Sequence, residues 1–403
     1  MINPWLRVFT PFAVGYFFSY LLRNVNAVIA PELTNELALS PADLGLLTSA
    51  YLFGFGAFQL PLGVLLDRYG PRKVEAALLL IAAAGTLTFG LSGNLAGLVA
   101  GRAMIGLGVS ACLMGSFKAF SLWFPAERQA SLNAAVMAAG GLGALAATTP
   151  VGWALPVLGW RGVFIAVAML VFMVAGLIFA TPERPTGTHH EKLRDQLNAL
   201  GGILKHRVFW RFAPQAIAVI GGFMALTGLW AVPWLMEVEG YTRDQAAFHL
   251  LLTSVAMLIG FLSIAAFVVR LKHMGIDPET ILKVGLGVGI VTLLAVRLGI
   301  GSSHLQWFVL GLVFSVSNLA YALLAGHFPR ELSGRVNTAL NLGTFIGAFG
   351  IQWGIGALVD LFIAQGMSTP DAYRRAFGAL IAFQAAAYGW FVLGGRQVAS
   401  RDG

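Results

Sequence analysis

About every 30 residues this chain produces another run of roughly 20 mostly apolar residues, the length a helix needs to cross the hydrocarbon core of a bilayer. Twelve such runs lie near 10–31, 43–66, 74–92, 96–123, 131–151, 161–180, 211–236, 246–269, 281–300, 305–327, 337–362 and 376–394. They are too long, and alternate too little, to be strands of a membrane barrel. Only 11% of the 403 residues are charged while 58% are hydrophobic; a soluble domain carries about 25% charged residues. A cytosolic enzyme, a secreted disulfide scaffold and a disordered chain are thereby excluded. The expected fold is an all-α membrane protein of twelve helices. The segment Met1–Phe9 has one basic residue, Arg7, and no small-residue cleavage site follows, so it predicts an uncleaved first helix rather than a signal peptide.

Lysine and arginine concentrate on the cytoplasmic side of helical membrane proteins. With the N-terminus inside, eighteen of the 26 fall in inner segments, and five, Arg161, Arg243, Arg297, Arg374 and Arg375, fall outside. Arg23, Arg102 and Lys118 remain within helices. Both termini are therefore expected in the cytoplasm, and the net charge of +8 reads as topology. No basic run is interleaved with aromatic residues, which argues against nucleic acid as a partner. The one cysteine, Cys112, cannot form an intrachain disulfide and reads as a small buried side chain.

The longest polar stretch, Thr181–Arg211, divides the chain into a bundle at 1–180, a linker at 181–210 and a bundle at 211–403. Its pair His189–His190 has no further clustered ligand and does not specify a metal. An internal repeat supports the division. Residues 124–144 align with 328–348 without a gap, with identities at Phe124, Pro125, Glu127, Asn133, Ala135, Gly143 and Ala144. Two parallel six-helix repeats are the plan of a large transporter class whose site lies near the midplane between the halves.

The segment Gly63-Val-Leu-Leu-Asp67-Arg68-Tyr-Gly70-Pro-Arg72-Lys73 closes the second run and opens the third. It resembles the signature loop of the major facilitator superfamily, with Pro71 where a basic residue is common. Arg102-xxx-Gly106-x-Gly108 resembles that family's fourth-helix motif, and the second-half copy of the loop, around Arg270–Pro278, is degenerate. The resemblance implies a cytoplasmic latch of Asp67, Arg68 and Arg72 that makes and breaks during alternating access. For Arg102 it implies coupling or packing, against an alternative role as an outer-interface anchor.

A guanidinium inside a membrane helix costs at least about 2.5–3.5 kcal/mol on insertion scales, so Arg23 should face a wet cavity or a partner. Tyr16, Tyr20 and Arg23 share one helix face, with Asn24 beside them; such a face suits an oxyanion that arginine can grip bidentately. The run Tyr20–Asn26 is also similar to the first helix of the organophosphate:phosphate antiporters. That resemblance implies a phosphate contact at Arg23 and a seventh-helix arginine, yet Phe212–Met236 contains no basic residue. A smaller or singly charged anion fits better. Lys118 is either a second positive group or a snorkelling residue. Trp230, Asn318, Tyr321, Asn341 and Gln352, with Trp353, are further candidates for a cavity wall.

Outside helix ends no Asp or Glu is read in any membrane span; Asp67, Glu237, Glu239 and Asp360 all lie at termini. With no membrane-depth carboxylate expected, and His249 and His327 read as interface residues, anion exchange or facilitated movement needs fewer assumptions than proton symport. No Walker sequence, metal-ligand spacing or catalytic constellation is present, so neither a cofactor nor an enzymatic activity is expected. The expected partners are a small solute and membrane lipids, with the chain acting as a monomer in an inner membrane. Two alternatives stand beside the anion carrier: proton-coupled efflux of hydrophobic or cationic compounds, and a non-transporting sensor of the same fold. The fifth run keeps Pro150 and Gly152, but not adjacent as in the exporters' Gly-Pro motif.

Overall fold

Apolar side chains fold into helices here because a backbone in lipid must satisfy its own hydrogen bonds. The computed structural model describes residues 3–125, 128–182, 184, 201–329 and 332–399, and every regular element among them is helical. His189 and His190, most of the expected linker and the tail beyond Ala399 lie outside the described residues. By contact the chain separates into two units, Met1–Leu197 and Asn198–Gly403.

The N-terminal unit contains α1 (Thr10–Leu37), α2 (Pro41–Ala57), α3 (Gln59–Leu91), α4 (Leu95–Val109), α5 (Cys112–Trp123), α6 (Gln129–Ala146) and α7 (Thr149–Phe179). A capping box starts α2: the Ser40 hydroxyl accepts from the Asp43 amide, and the Asp43 carboxylate accepts from the Ser40 amide. Inside α3 the chain turns at Gly70, whose φ of 79° belongs to the region glycine adopts without strain. Gly159, with φ 64°, makes a comparable turn in α7, so helix continues to Leu158 where the apolar pattern predicts an end near 151.

Nine stretches among the described residues are long and apolar enough to cross a membrane. α1 is not one of them, because Tyr16, Tyr20, Arg23, Asn24 and Asn26 dilute its apolarity. The second and fifth expected runs are interrupted at Phe58 and Thr148. A short break at Ser110–Ala111 likewise divides α4 from α5.

The C-terminal unit carries one continuous stretch, Arg207–Glu237. It comprises α8 (Arg207–Ala216), a π-helical turn at Ile217–Gly221, α9 (Gly222–Ala225), a second π turn at Leu226–Trp230 and α10 (Ala231–Glu237). Then follow α11 (Arg243–His273), α12 (Pro278–Leu298), α13 (Ser303–Ser317), α14 (Leu319–Ala325), α15 (Ser333–Ala364) and α16 (Thr369–Ala399). Phe209, Phe212, Leu286, Leu340 and Phe391 are buried in the core where these helices meet.

Glycine contacts make the repeat visible within each unit. A methyl group on Gly106 of α4 would collide with the Tyr51 carbonyl of α2; one on Gly311 of α13 would collide with the Thr253 carbonyl of α11. The aligned pair behaves the same way. Gly143 abuts the Phe17 carbonyl of α1, and Gly347 abuts Ile217 at the start of its own unit. Both aligned asparagines, Asn133 and Asn337, also bury a side-chain oxygen without a hydrogen-bond partner. Small residues let backbones meet where lipid supplies no hydrophobic drive for association.

At the other end of α1, the Glu36 carboxylate accepts from the Trp160 indole at 2.6 Å and from Arg161. The Trp160 bond, then Arg161, hold its carboxyl below the usual range. This tie therefore contributes fully above the ordinary glutamate pKa and is lost as pH falls through the lowered one.

Candidate functional site

The first helix carries the polar face that its 3.6-residue period predicts. Tyr16 is buried and meets Tyr20 edge to face, with ring centroids 5.1 Å apart. The Arg23 guanidinium lies over the Tyr20 ring, 5.8 Å from its centroid. Gly140 of α6 makes room for both tyrosines, since a Cβ there would stand 2.6 Å from Tyr16 and 3.1 Å from Tyr20. Asn24 turns its amide back to the Tyr20 carbonyl at 2.7 Å, which leaves its side-chain oxygen available.

Arg23 is partly buried, and among the described residues no carboxylate pairs with it. Tyr51 of α2, fully buried with no hydrogen bond to its hydroxyl, lies within electrostatic reach of both Arg23 and Arg102. Sequence reasoning misses Tyr51, because nothing local marks it out from neighbouring apolar positions.

Arg102 is not an outer-interface anchor. It is 1% exposed, donates to the Leu22 carbonyl at 2.8 Å and lies 5.2 Å over the Tyr51 ring. Gly106 and Gly108 of the same motif bring α4 against the backbones of α2 and α3, which is how a long arginine reaches a carbonyl of α1. Arg102 is thus committed to holding α1 next to Arg23.

Lys118 pairs with Asp67 at 2.8 Å instead of standing beside Arg23. Two residues farther on, Phe120 packs on Phe9 and Phe12, and Phe12 is about 16 Å along α1 from Arg23 at 1.5 Å per residue. The pair ties α5 to the loop motif. In that motif Gly63 and Arg68 are exposed, Arg68 lies over the Tyr69 ring, and Gly70 makes the turn. Arg72 donates to the Thr181 carbonyl at 3.2 Å. Both members of the Lys118–Asp67 pair are a third or more exposed, so its stability contribution is at most about 1 kcal/mol. Lys118→Met and Asp67→Asn are accordingly expected to shift the melting temperature little, and the double variant no more than the larger single one. A loss well beyond that in thermal melts would show that the pair does more than tie a surface.

In the C-terminal unit, the Tyr321 hydroxyl reaches Asn341 at 3.0 Å and Thr344 at 3.3 Å. Asn318, at the break before α14, donates to the Phe314 carbonyl at 2.8 Å. Trp230 is fully buried and donates to the Gln352 carbonyl at 2.8 Å, while Trp353 is exposed. The buried Gln352 and Gln215 side-chain amides have no hydrogen-bond partners. The π turns around Trp230 belong to a class of helix defect that is frequent at functional positions. Arg211, just before the uncharged run, pairs with Glu279.

Two expectations about titratable groups are overturned. Glu75 of α3 is wholly buried within a membrane-crossing stretch, and neither of its carboxyl oxygens has a hydrogen-bond partner. Its place just after Arg72–Lys73 disguises it as a helix-end residue. His249 is also wholly buried, with its ring 4.2 Å from His304 and 4.7 Å from Tyr241.

A family model described as "Major Facilitator Superfamily" matches residues 12–352. Among curated proteins, the chain is 25% identical to "Probable sulfoacetate transporter SauU" of Cupriavidus necator, over 86% of this chain and 91% of that one. It is 27% identical to the hexuronate transporter of Escherichia coli over 58% of each chain. It is 24% identical to the niacin transporter NiaP of Acinetobacter baylyi over 90% of this chain and 88% of that one. Among solved structures, a bacterial homolog of the human lysosomal transporter Spinster, inward-facing and unoccupied, superposes with a TM-score of 0.72 at 17% identity and 98% coverage of both chains. A point mutant of the nucleoside transporter NupG gives a TM-score of 0.75 at 11% identity, covering 96% of this chain and 99% of that one.

Proposed function

Because this chain belongs to the major facilitator superfamily, a family of multi-pass membrane transporters, we propose that it carries a small organic anion with a single negative head by alternating access. The observation that carries this reading is Arg23, a cation inside α1 flanked by tyrosines and left without an acidic partner among the described residues. Other cations of the helices are already engaged: Arg102 by a carbonyl, Lys118 by Asp67 and, in the C-terminal unit, Arg211 by Glu279. A guanidinium without an acidic partner matches a carboxylate or sulfonate, which it can hold through two parallel hydrogen bonds. Tyr20 and Asn24 supply a donor and an acceptor for hydroxyls on the rest of the molecule. The relatives named for hexuronate, niacin and sulfoacetate support an acid as cargo, and the absence of a basic residue from Phe212–Met236 weighs against a phosphate ester. The proposed setting is a bacterial inner membrane.

The test is thermal melting of the purified protein in detergent with D-glucuronate, sulfoacetate, niacin and D-glucarate, and with tetraphenylphosphonium as the cationic control. A ligand that binds only the folded state at 100 times its Kd adds about 2.7 kcal/mol of apparent stability. A singly charged acid is expected to raise the melting temperature of the wild type but not of Arg23→Ala. Equal stabilisation of both proteins, or a response to the lipophilic cation alone, would overturn the reading.

A further inference from the structure

We infer that Glu75 is a proton-binding site, and that loading it with a proton is linked to the packing of α1, α3 and α5 against one another. The side chain is fully buried, and its two oxygens touch the places where other elements have no side chain. A Cβ on Gly15 of α1 would stand 2.8 Å from one carboxyl oxygen, and a Cβ on Gly115 of α5 would overlap the other. Leu79 of α3 and Ile178 of α7 close the same pocket beside Gly15. Two glycines on two different helices are therefore fitted around one carboxyl group.

What the pocket lacks, among the described residues, is a counter-charge. The titratable group facing Glu75 is the Cys112 thiol of α5, itself fully buried. From α1 the facing residue is Gly15, and from α7 it is Ile178; neither carries charge. On its own helix Arg72 is bonded to the Thr181 carbonyl, and on α5 Lys118 is paired with Asp67. A carboxylate enclosed in this way would be an unpaired charge out of water, whereas the protonated acid is a neutral group that the cleft accommodates. Ionisation thus requires water to reach the group, and water reaches it only if α1 or α5 draws back from α3. The proton is then the ligand of the packed state: it is taken up from that water as the helices close and released to it as they open.

The protein carries its own reporter, because Cys112 is its single cysteine and lies in the same pocket. The experiment is labelling of Cys112 with N-ethylmaleimide in the purified, ligand-free protein across the neutral pH range, in the wild type and in Glu75→Gln. Thiol reactivity rises with pH in both proteins, so the ratio of their rates isolates opening. A one-proton link makes that ratio, wild type over variant, climb about tenfold per pH unit. A constant ratio would overturn the proposal. Infrared difference spectra provide a second measurement. A carboxylic-acid carbonyl band that titrates in the wild type should disappear in Glu75→Gln and move in Glu75→Asp. The absence of any such band from the wild type would equally overturn it. Neither readout needs a transported solute, so they decide the site whether or not the anion reading holds.

Discussion

Gly106→Ala is expected to lower stability by about 1–3 kcal/mol or more, the range for forcing extra atoms into a packed interior. The added methyl would collide with the Tyr51 carbonyl. A backbone oxygen in mid-helix cannot rotate away as a side chain can, so α2 and α4 must separate along their length. Separation would also draw Tyr51 off Arg102 and loosen the bond from Arg102 to Leu22. The matched control is Gly152→Ala in α7, where an added Cβ has nothing within 4 Å. That substitution should be neutral or slightly stabilising, since alanine is the better helix former by about 1 kcal/mol. Melting temperatures of the two variants measured side by side check the contrast. Equal behaviour would mean that the seam yields more easily than its geometry implies.

Arg102→Ala should be at least as damaging, at about 3 kcal/mol or more, because it deletes a charge-assisted bond to Leu22 and leaves a large void. Arg102→Met separates the two contributions. Methionine refills much of the space, and removing a buried charge with no acidic partner relieves its desolvation. Most of the melting temperature should therefore return in Arg102→Met. The thermal response to a singly charged acid should not return, because the Leu22 carbonyl, one residue from Arg23, is no longer held from α4. If Arg102→Met melts as low as Arg102→Ala, the guanidinium itself is a packing element. If the acid response survives, Arg102 does not position Arg23.

The parts of this molecule that the sequence discloses are those whose signal is local. Twelve apolar runs predict a helical membrane protein, and the helical period alone places Tyr16, Tyr20 and Arg23 on one face. Arg23 stands out because a charge in an apolar run is improbable without a use. The Asp67–Arg72 motif is legible for the same reason, as a dense cluster of charge, glycine and proline. Partnership is another matter. That Lys118 belongs to Asp67, 51 residues away, or Arg102 to Leu22, 80 residues away, follows from helix packing that no single run encodes. Glu75 is the sharpest instance. Its own neighbours, Arg72 and Lys73, suggest a wet helix end, while its burial is set by Gly15 and Gly115 on other helices. Helix boundaries slip at proline and glycine alike: α1 runs through Pro31 to Leu37, and the turn at Gly159 is missed because a lone glycine within an apolar run reads equally well as packing.

The seams between α2 and α4 and between α1 and α6 have consequences for how the first bundle can flex. Backbones that meet at Gly54, Gly106 and Gly143 leave no layer of side chains to act as a lubricant. Each such pair behaves as a laminated plank, stiff against sliding. Strain during a cycle of shape change must then gather at the joints, Phe58, Ser110–Ala111 and Thr148, where helical regularity already lapses. The tempo of that cycle would be governed by a handful of dihedral angles rather than by the bundle as a whole.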